Sequence, residues 1–139
     1  VNHAVVYLTK TGHSKKIASA IASALSLSAL DIKTRPAIGE VDLLFIVGGL
    51  YGKQSDPMML EFVKGLSPKQ IKKAVLVTSS ANGSLKQAAV RTALESRGIQ
   101  VAPEEYCCKG SFLFFFLGHP NSEEIEGAVS FSKSFLTRD

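Results

Sequence analysis

The chain has 139 residues and a mass of 14.9 kDa, with 45% hydrophobic and 20% charged residues. That is the make-up of one compact soluble domain covering residues 1–139, and it excludes two full domains. The 16 Lys and Arg against 12 Asp and Glu leave a net charge of +4, which favours anionic ligands or partners without identifying one.

No stretch is apolar for the roughly 20 residues that a membrane span requires, and nothing at the N-terminus reads as a signal peptide. The expectation is a cytoplasmic protein with no membrane association. Cys107 and Cys108 are the only cysteines and are adjacent, so they cannot staple distant parts of the fold. They also lack further ligands at zinc-site spacing. They read as ordinary residues at the end of a buried strand, with a redox pair as the alternative.

In chain order, residues 4–8 (A-V-V-Y-L) form a β-rich run, and a polar loop follows at 9–14. Ile17, Ala18, Ile21, Ala22 and Leu25 then recur at helical spacing, which predicts a helix opening near His13 or Ser14. Residues 27–33 alternate as a second strand. Residues 42–47 are continuously apolar after Asp42 and end in Gly48-Gly49, the pattern of a strand buried on both faces. A loop over 48–56 precedes a helix at 57–66, with Pro57 in its first turn.

Residues 74–78 predict a fourth strand and 78–83 a loop. A helix at about 85–96 stops at Gly98, a residue suited to a C′ position. Residues 99–108 supply the fifth strand, and 112–117 complete it or form an interface. A last helix starts near Asn121, where Asn121 and Glu124 form a variant capping box. Five alternations of strand and helix imply a parallel sheet covered on both faces. Ligands of such sheets gather at the carboxyl ends of the strands, here the loops at 9–14, 48–56 and 78–83.

The first of these loops, Thr9-Lys10-Thr11-Gly12-His13-Ser14, joins a buried strand to a helix N-terminus. Unpartnered N–H groups and the helix dipole favour an anion there. Hydroxyls at Thr9, Thr11 and Ser14 can donate to phosphate oxygens, and Gly12 permits close backbone approach. The inventory suits a monophosphate, while an ordinary capped turn is the simpler alternative. Neither the Gly-x4-Gly-Lys-Ser/Thr of nucleotide hydrolases nor Gly-x-Gly-x-x-Gly is present, which disfavours ATP hydrolysis and Rossmann-type NAD binding.

With these residues the sequence resembles the flavodoxin family of FMN-binding proteins. Thr9-x-Thr11-Gly12-x-Ser14 is similar to the family's phosphate loop. Gly48-Gly49-Leu50-Tyr51-Gly52, followed by Asp56-Pro57, is similar to the loop that lies along the flavin ring. Residues 78–83 occupy the place of the third flavin-contacting loop. The resemblance implies a flavodoxin-like three-layer α/β/α sandwich with a five-stranded parallel sheet in the order 2-1-3-4-5, and non-covalently bound FMN.

Carried over by position, the phosphate would be held by Thr9, Lys10, Thr11, Gly12, His13 and Ser14. The ring would be met by Gly49, Leu50, Tyr51 and Gly52 on one side and by Ser79, Ser80, Asn82 and Gly83 on the pyrimidine side. Tyr51 would stack on the ring. Gly52 would supply the peptide that meets flavin N5.

Many electron-carrying flavodoxins are acidic, whereas Lys10, His13, Lys15, Lys16 and Lys53 stand at or near the proposed ligand end here. Cations facing the flavin favour anionic reduced states and acidic redox partners; the alternative for Lys15 and Lys16 is a solvated helix face. The third loop carries no aromatic residue, which leaves one flavin face open. His119, next to Pro120, reads as a turn residue or as a group that could meet a proton or phosphate.

The leading functional reading is one-electron shuttling through FMN, with no catalytic side chain and no metal. The alternatives are an FMN-dependent NAD(P)H/quinone oxidoreductase and an interaction module of the same fold without cofactor. Scattered positive charge without a recognition motif disfavours nucleic acid. A monomer and a homodimer fit equally well.

Overall fold

A computed structural model describes residues 2–9, 12–51, 54–80, 86–109 and 122–137. The strands are β1 (His3–Tyr7), β2 (Leu30–Asp31), β3 (Val41–Tyr51), β4 (Gln54–Ser55), β5 (Ile71–Ser80) and β6 (Gln100–Lys109). The helices are α1 (His13–Ala24), α2 (Pro57–Lys64), α3 (Ala88–Ser96) and α4 (Ser122–Lys133).

β3 shows why the apolar run had to be unbroken. Leu43, Phe45 and Val47 face one side of the sheet while Leu44 and Ile46 face the other, and all five are buried. Side chains alternate across a strand, so a strand covered on both faces needs apolar residues at every position. The same alternation runs through β1 and β5. Val5, Tyr7, Val75 and Val77 join the first side, and Val6, Leu8, Ala74 and Leu76 the second.

α1 and α4 close the first side through Ile17, Ala18, Ile21, Ala22 and Ala128, with Phe135 from the following 3-10 turn. α2 and α3 close the second through Met59, Val63, Val90 and Leu94. Full burial of an aliphatic side chain of this size contributes about 1.5–3 kcal/mol, so these stripes determine which way each helix faces.

The parallel order is β2-β1-β3-β5-β6, with β4 paired antiparallel to β3. Leaving the two-residue β4 aside, this is the expected order 2-1-3-4-5, with helices on both sides. Gly98, at φ +81°, is the C′ residue of α3. The Gly98 N–H donates to the Glu95 carbonyl and the Ile99 N–H to the Leu94 carbonyl, a Schellman exit whose last residues, Leu94 and Ile99, are buried. α1 ends in the same way with Ser26 at φ +60°.

Three predicted boundaries move. The second strand shrinks from residues 27–33 to the pair Leu30–Asp31. The exit from α1 occupies its start, and beyond it the Asp31 carboxylate accepts the Lys33 N–H at 2.9 Å, folding Ile32–Thr34 into a 3-10 turn. Residues 48–51 are strand rather than loop, because β3 continues to Tyr51 and folds back onto β4 through the pairs Leu50–Ser55 and Tyr51–Gln54. Residues 78–80 are also strand, since β5 follows β3 outward with Gly48 beside Thr78 and Gly49 beside Ser79. The predicted cap at Asn121, the segment 112–117 and His119 lie outside the described residues.

Candidate functional site at the carboxyl edge of the sheet

β1 and β3 are neighbours, yet the helix after β1 covers one side of the sheet and the helix after β3 the other. Their carboxyl ends therefore mark the switch point in strand order, where ligands of such sheets gather in a crevice.

The first wall begins with Thr9, whose Oγ1 accepts the Gly12 N–H at 2.8 Å and turns the chain back on itself. Gly12 is the N-cap of α1 at φ 90° and ψ −3°, a left-handed conformation that disfavours any residue with a Cβ. Among the described residues no atom lies within 4 Å of the position a Cβ would take there, which leaves room for a ligand to approach the backbone. The first bond of α1 runs from the Lys16 N–H to the Gly12 carbonyl at 3.2 Å, which leaves the N–H groups of the preceding residues without an intrahelical acceptor.

No acidic residue stands in the first turn of α1, and Lys15 and Lys16 are exposed along it. The Lys33 ammonium, which the sequence pattern did not single out, donates to the Thr9 carbonyl at 3.2 Å. The helix dipole and the ammonium groups favour an anion at this end, with the Asp31 carboxylate, paired beside Tyr7 in the sheet, opposing them. Ser14 is buried in the same first turn.

The second wall is the outer end of β3, where Gly49 and the buried Leu50 lead into the hairpin that ends in Ser55. The third is the outer end of β5, where Thr78, Ser79 and Ser80 are all buried. The structure therefore brings Thr9, Gly12, Ser14, Gly49, Leu50, Ser79 and Ser80, with the backbones of His13 and Tyr51, to one edge. Lys10, Thr11, Gly52, Lys53, Asn82 and Gly83 lie outside the described residues, as do the Tyr51 ring and the His13 side chain.

Behind the second and third walls is a polar cluster absent from the sequence reading. Glu105 of β6 has a fully buried side chain. Its Oε2 accepts the Thr78 hydroxyl at 2.5 Å and the Gln87 backbone N–H at 2.8 Å. Its Oε1 faces Arg91 Nη2 at 3.3 Å, and Arg91 Nη1 donates to the Ala102 carbonyl at 2.8 Å. The Gln87 amide, also buried, donates to the Val77 carbonyl at 3.1 Å and to Thr78 Oγ1 at 3.0 Å. The sequence did carry a signal: a carboxylate inside a strand that must be buried requires donors.

Burial pushes the Cys108 thiol up to about 12, and burial with the nearby Glu105 raises Cys107. Thiolates are disfavoured at both, so neither is set up as a nucleophile. Among the described residues no three His, Cys, Asp or Glu side chains converge as a metal site, and no helix is long and apolar enough to cross a membrane. A cleft of about 680 Å³ lies between the 3-10 turn and α2, and of the residues near the edge it shares only Lys33. The chemistry of the edge, rather than that volume, marks the site.

Residues 4–110 match the family model of the flavodoxin domain. An uncharacterised protein of Methanocaldococcus jannaschii is 31% identical over 137 residues, covering 89% of this chain and 90% of its own length. Among solved structures, a flavodoxin from the domain Archaea superposes with a TM-score of 0.77 at 12% identity, covering 96% of this chain and 95% of the other. The Streptococcus pneumoniae TIGR4 flavodoxin gives 0.68 at 16% identity over 96% and 97% of the two chains. An NAD(P)H:quinone oxidoreductase from Methanothermobacter marburgensis gives 0.65 at 12% identity over 99% and 98%. Family match and strand order agree, and the chain belongs to the flavodoxin domain family.

Proposed function

We propose that this protein binds FMN non-covalently at the carboxyl edge of its sheet and serves as a one-electron carrier. The observation that carries the reading is the Thr9–Gly12 turn, a left-handed glycine opening a helix directly after the first strand, with the Lys33 ammonium on the Thr9 carbonyl. A phosphate dianion fits that donor set, because the N–H groups of the first helical turn have no intrahelical acceptor and the left-handed Gly12 carries no side chain to block approach.

In this reading Thr9, Lys10, Thr11, Gly12, His13 and Ser14 hold the phosphate. Gly49, Leu50, Tyr51 and Gly52 lie along one side of the ring system, and Ser79, Ser80, Asn82 and Gly83 along its pyrimidine side. Leu50 and the Ser79 and Ser80 segment would offer backbone groups to the ring system. Bound FMN supplies the one-electron chemistry, while the protein's own part is to bind, orient and tune it. The excess of positive charge at this end favours negatively charged redox partners.

Titration of the purified protein with FMN is the test. FMN is expected to bind more tightly than riboflavin, with two separated one-electron steps on electrochemical reduction and negligible oxidation of NADH or NADPH. Replacing Ser14 with Ala is expected to weaken FMN binding about tenfold, the scale of one hydrogen bond to a charged group, while Ser130→Ala has no effect. Absence of FMN binding overturns the reading. Rapid oxidation of NADPH with a quinone acceptor would replace the carrier with an oxidoreductase.

A further inference from the structure

We infer that Glu105 is a positioning residue for the flavin-facing edge, acting through Thr78 and Gln87; this deepens the FMN reading and rests on it. One carboxylate oxygen takes donors from both Thr78, at the point where β5 runs out to Ser79 and Ser80, and Gln87, the residue that precedes α3. The Thr78 hydroxyl is thereby oriented: it donates to Glu105 and accepts from Gln87 Nε2.

The Gln87 side chain carries the constraint across to β3. Its Oε1 lies 2.7 Å from where a Cβ on Gly48 would stand, so it fills the space that this glycine leaves. Gly48 in turn precedes Gly49 and Leu50 and pairs with Thr78 in the sheet. The outer ends of β3 and β5, two of the three walls of the crevice, are thus referred to one buried carboxylate on β6.

Stability alone does not account for such a cluster. Burying the Glu105 carboxylate incurs desolvation that a well-packed apolar residue of similar volume would avoid, so the ion pair with Arg91 is weak evidence of a stabilising role and leaves a geometric one open to test. The placement agrees. Further down the same strands the buried pair is apolar, Ala74 beside Val101, and the polar pair beyond it, Lys73 beside Gln100, is not buried; the buried polar cluster lies toward the carboxyl edge.

The experiment compares Glu105→Gln, Thr78→Val and Thr78→Ser with Val90→Ala, a core variant on the same side of the sheet. All are measured at a temperature where each is folded. Two quantities are read: amide hydrogen exchange in the apo-protein, and FMN affinity with midpoint potential in the holoprotein.

Glu105→Gln places an amide donor against existing donors. It is expected to speed exchange at residues 78–80, to leave α1 unchanged and to weaken FMN about tenfold, the scale of one net hydrogen bond to a charged group. Thr78→Val follows it, and Thr78→Ser, which keeps the hydroxyl, restores affinity and potential. Val90→Ala lowers the melting temperature without moving either.

Exchange at residues 78–80 that is no faster in Glu105→Gln than in Val90→Ala overturns the clamp itself. Faster exchange with FMN affinity and potential unmoved overturns its role in the site. Failure of the unaltered protein to bind FMN overturns the flavin reading and this role together, and the exchange data then show whether the clamp exists independently.

Discussion

Gly48→Ala is expected to destabilise the protein, against the usual direction. A glycine at an extended position ordinarily costs about 0.5–1 kcal/mol relative to alanine, through chain entropy and lost packing, so the generic expectation is a gain. At Gly48 the new methyl would stand 2.7 Å from Gln87 Oε1, 3.2 Å from Met59 Cε and 3.3 Å from Gln87 Cδ. The end of a glutamine normally yields at little cost, but this one is held by Nε2 on the Val77 carbonyl and on Thr78 Oγ1.

Displacing it breaks two buried hydrogen bonds of about 1 kcal/mol net each and leaves the buried Gln87 amide unsatisfied at a further cost of about 1–3 kcal/mol. The sum, less the entropy gain, is a loss of about 2–4 kcal/mol. Urea unfolding of the apo-protein measures it as a lower midpoint at unchanged slope. The decisive control is a double-mutant cycle: in a Gln87→Ala background the methyl enters vacated space, and Gly48→Ala is expected to cost under about 1 kcal/mol. An equal penalty in both backgrounds would refute the steric argument.

Ser132 lies in the last turn of α4, fully buried, and its hydroxyl has no hydrogen-bond partner. Ser132→Ala removes that desolvated group and improves helix propensity, so a stabilisation of about 1–2 kcal/mol is expected in thermal melts; a lowered melting temperature contradicts it. The raised Cys108 thiol titrates higher in the folded chain than in the unfolded one. Its contribution to stability is therefore complete below the ordinary thiol range and is lost as pH rises from about 9 towards about 12, a loss that Cys108→Ala should abolish. Replacement of Cys108 that leaves the alkaline unfolding profile unchanged would count against this.

Much of the fold could be read from local pattern, because the forces that decide it are local in sequence. The alternation of β3 through Leu43, Leu44, Phe45, Ile46 and Val47 announces a strand covered twice. The glycine at 98 ends α3 because only the left-handed region completes the Schellman bonds. Thr9, Gly12 and the start of α1 could be found for the same reason, since strand, turn and helix N-terminus are contiguous.

Tertiary structure decided what depends on residues distant in the chain. Whether residues 48–51 and 78–80 were loop or strand turned on the pairing of β3 with β5 and β4. That Glu105, Gln87, Thr78 and Gly48 form one unit depends on four segments meeting, and no spacing within any of them encodes it. The same holds for Lys33, which reaches the Thr9 carbonyl from 24 residues away. Sequence periodicity reports which face of an element is buried; it does not report which partner a buried polar group will find, because that free energy exists only once the partner has been brought within hydrogen-bond reach.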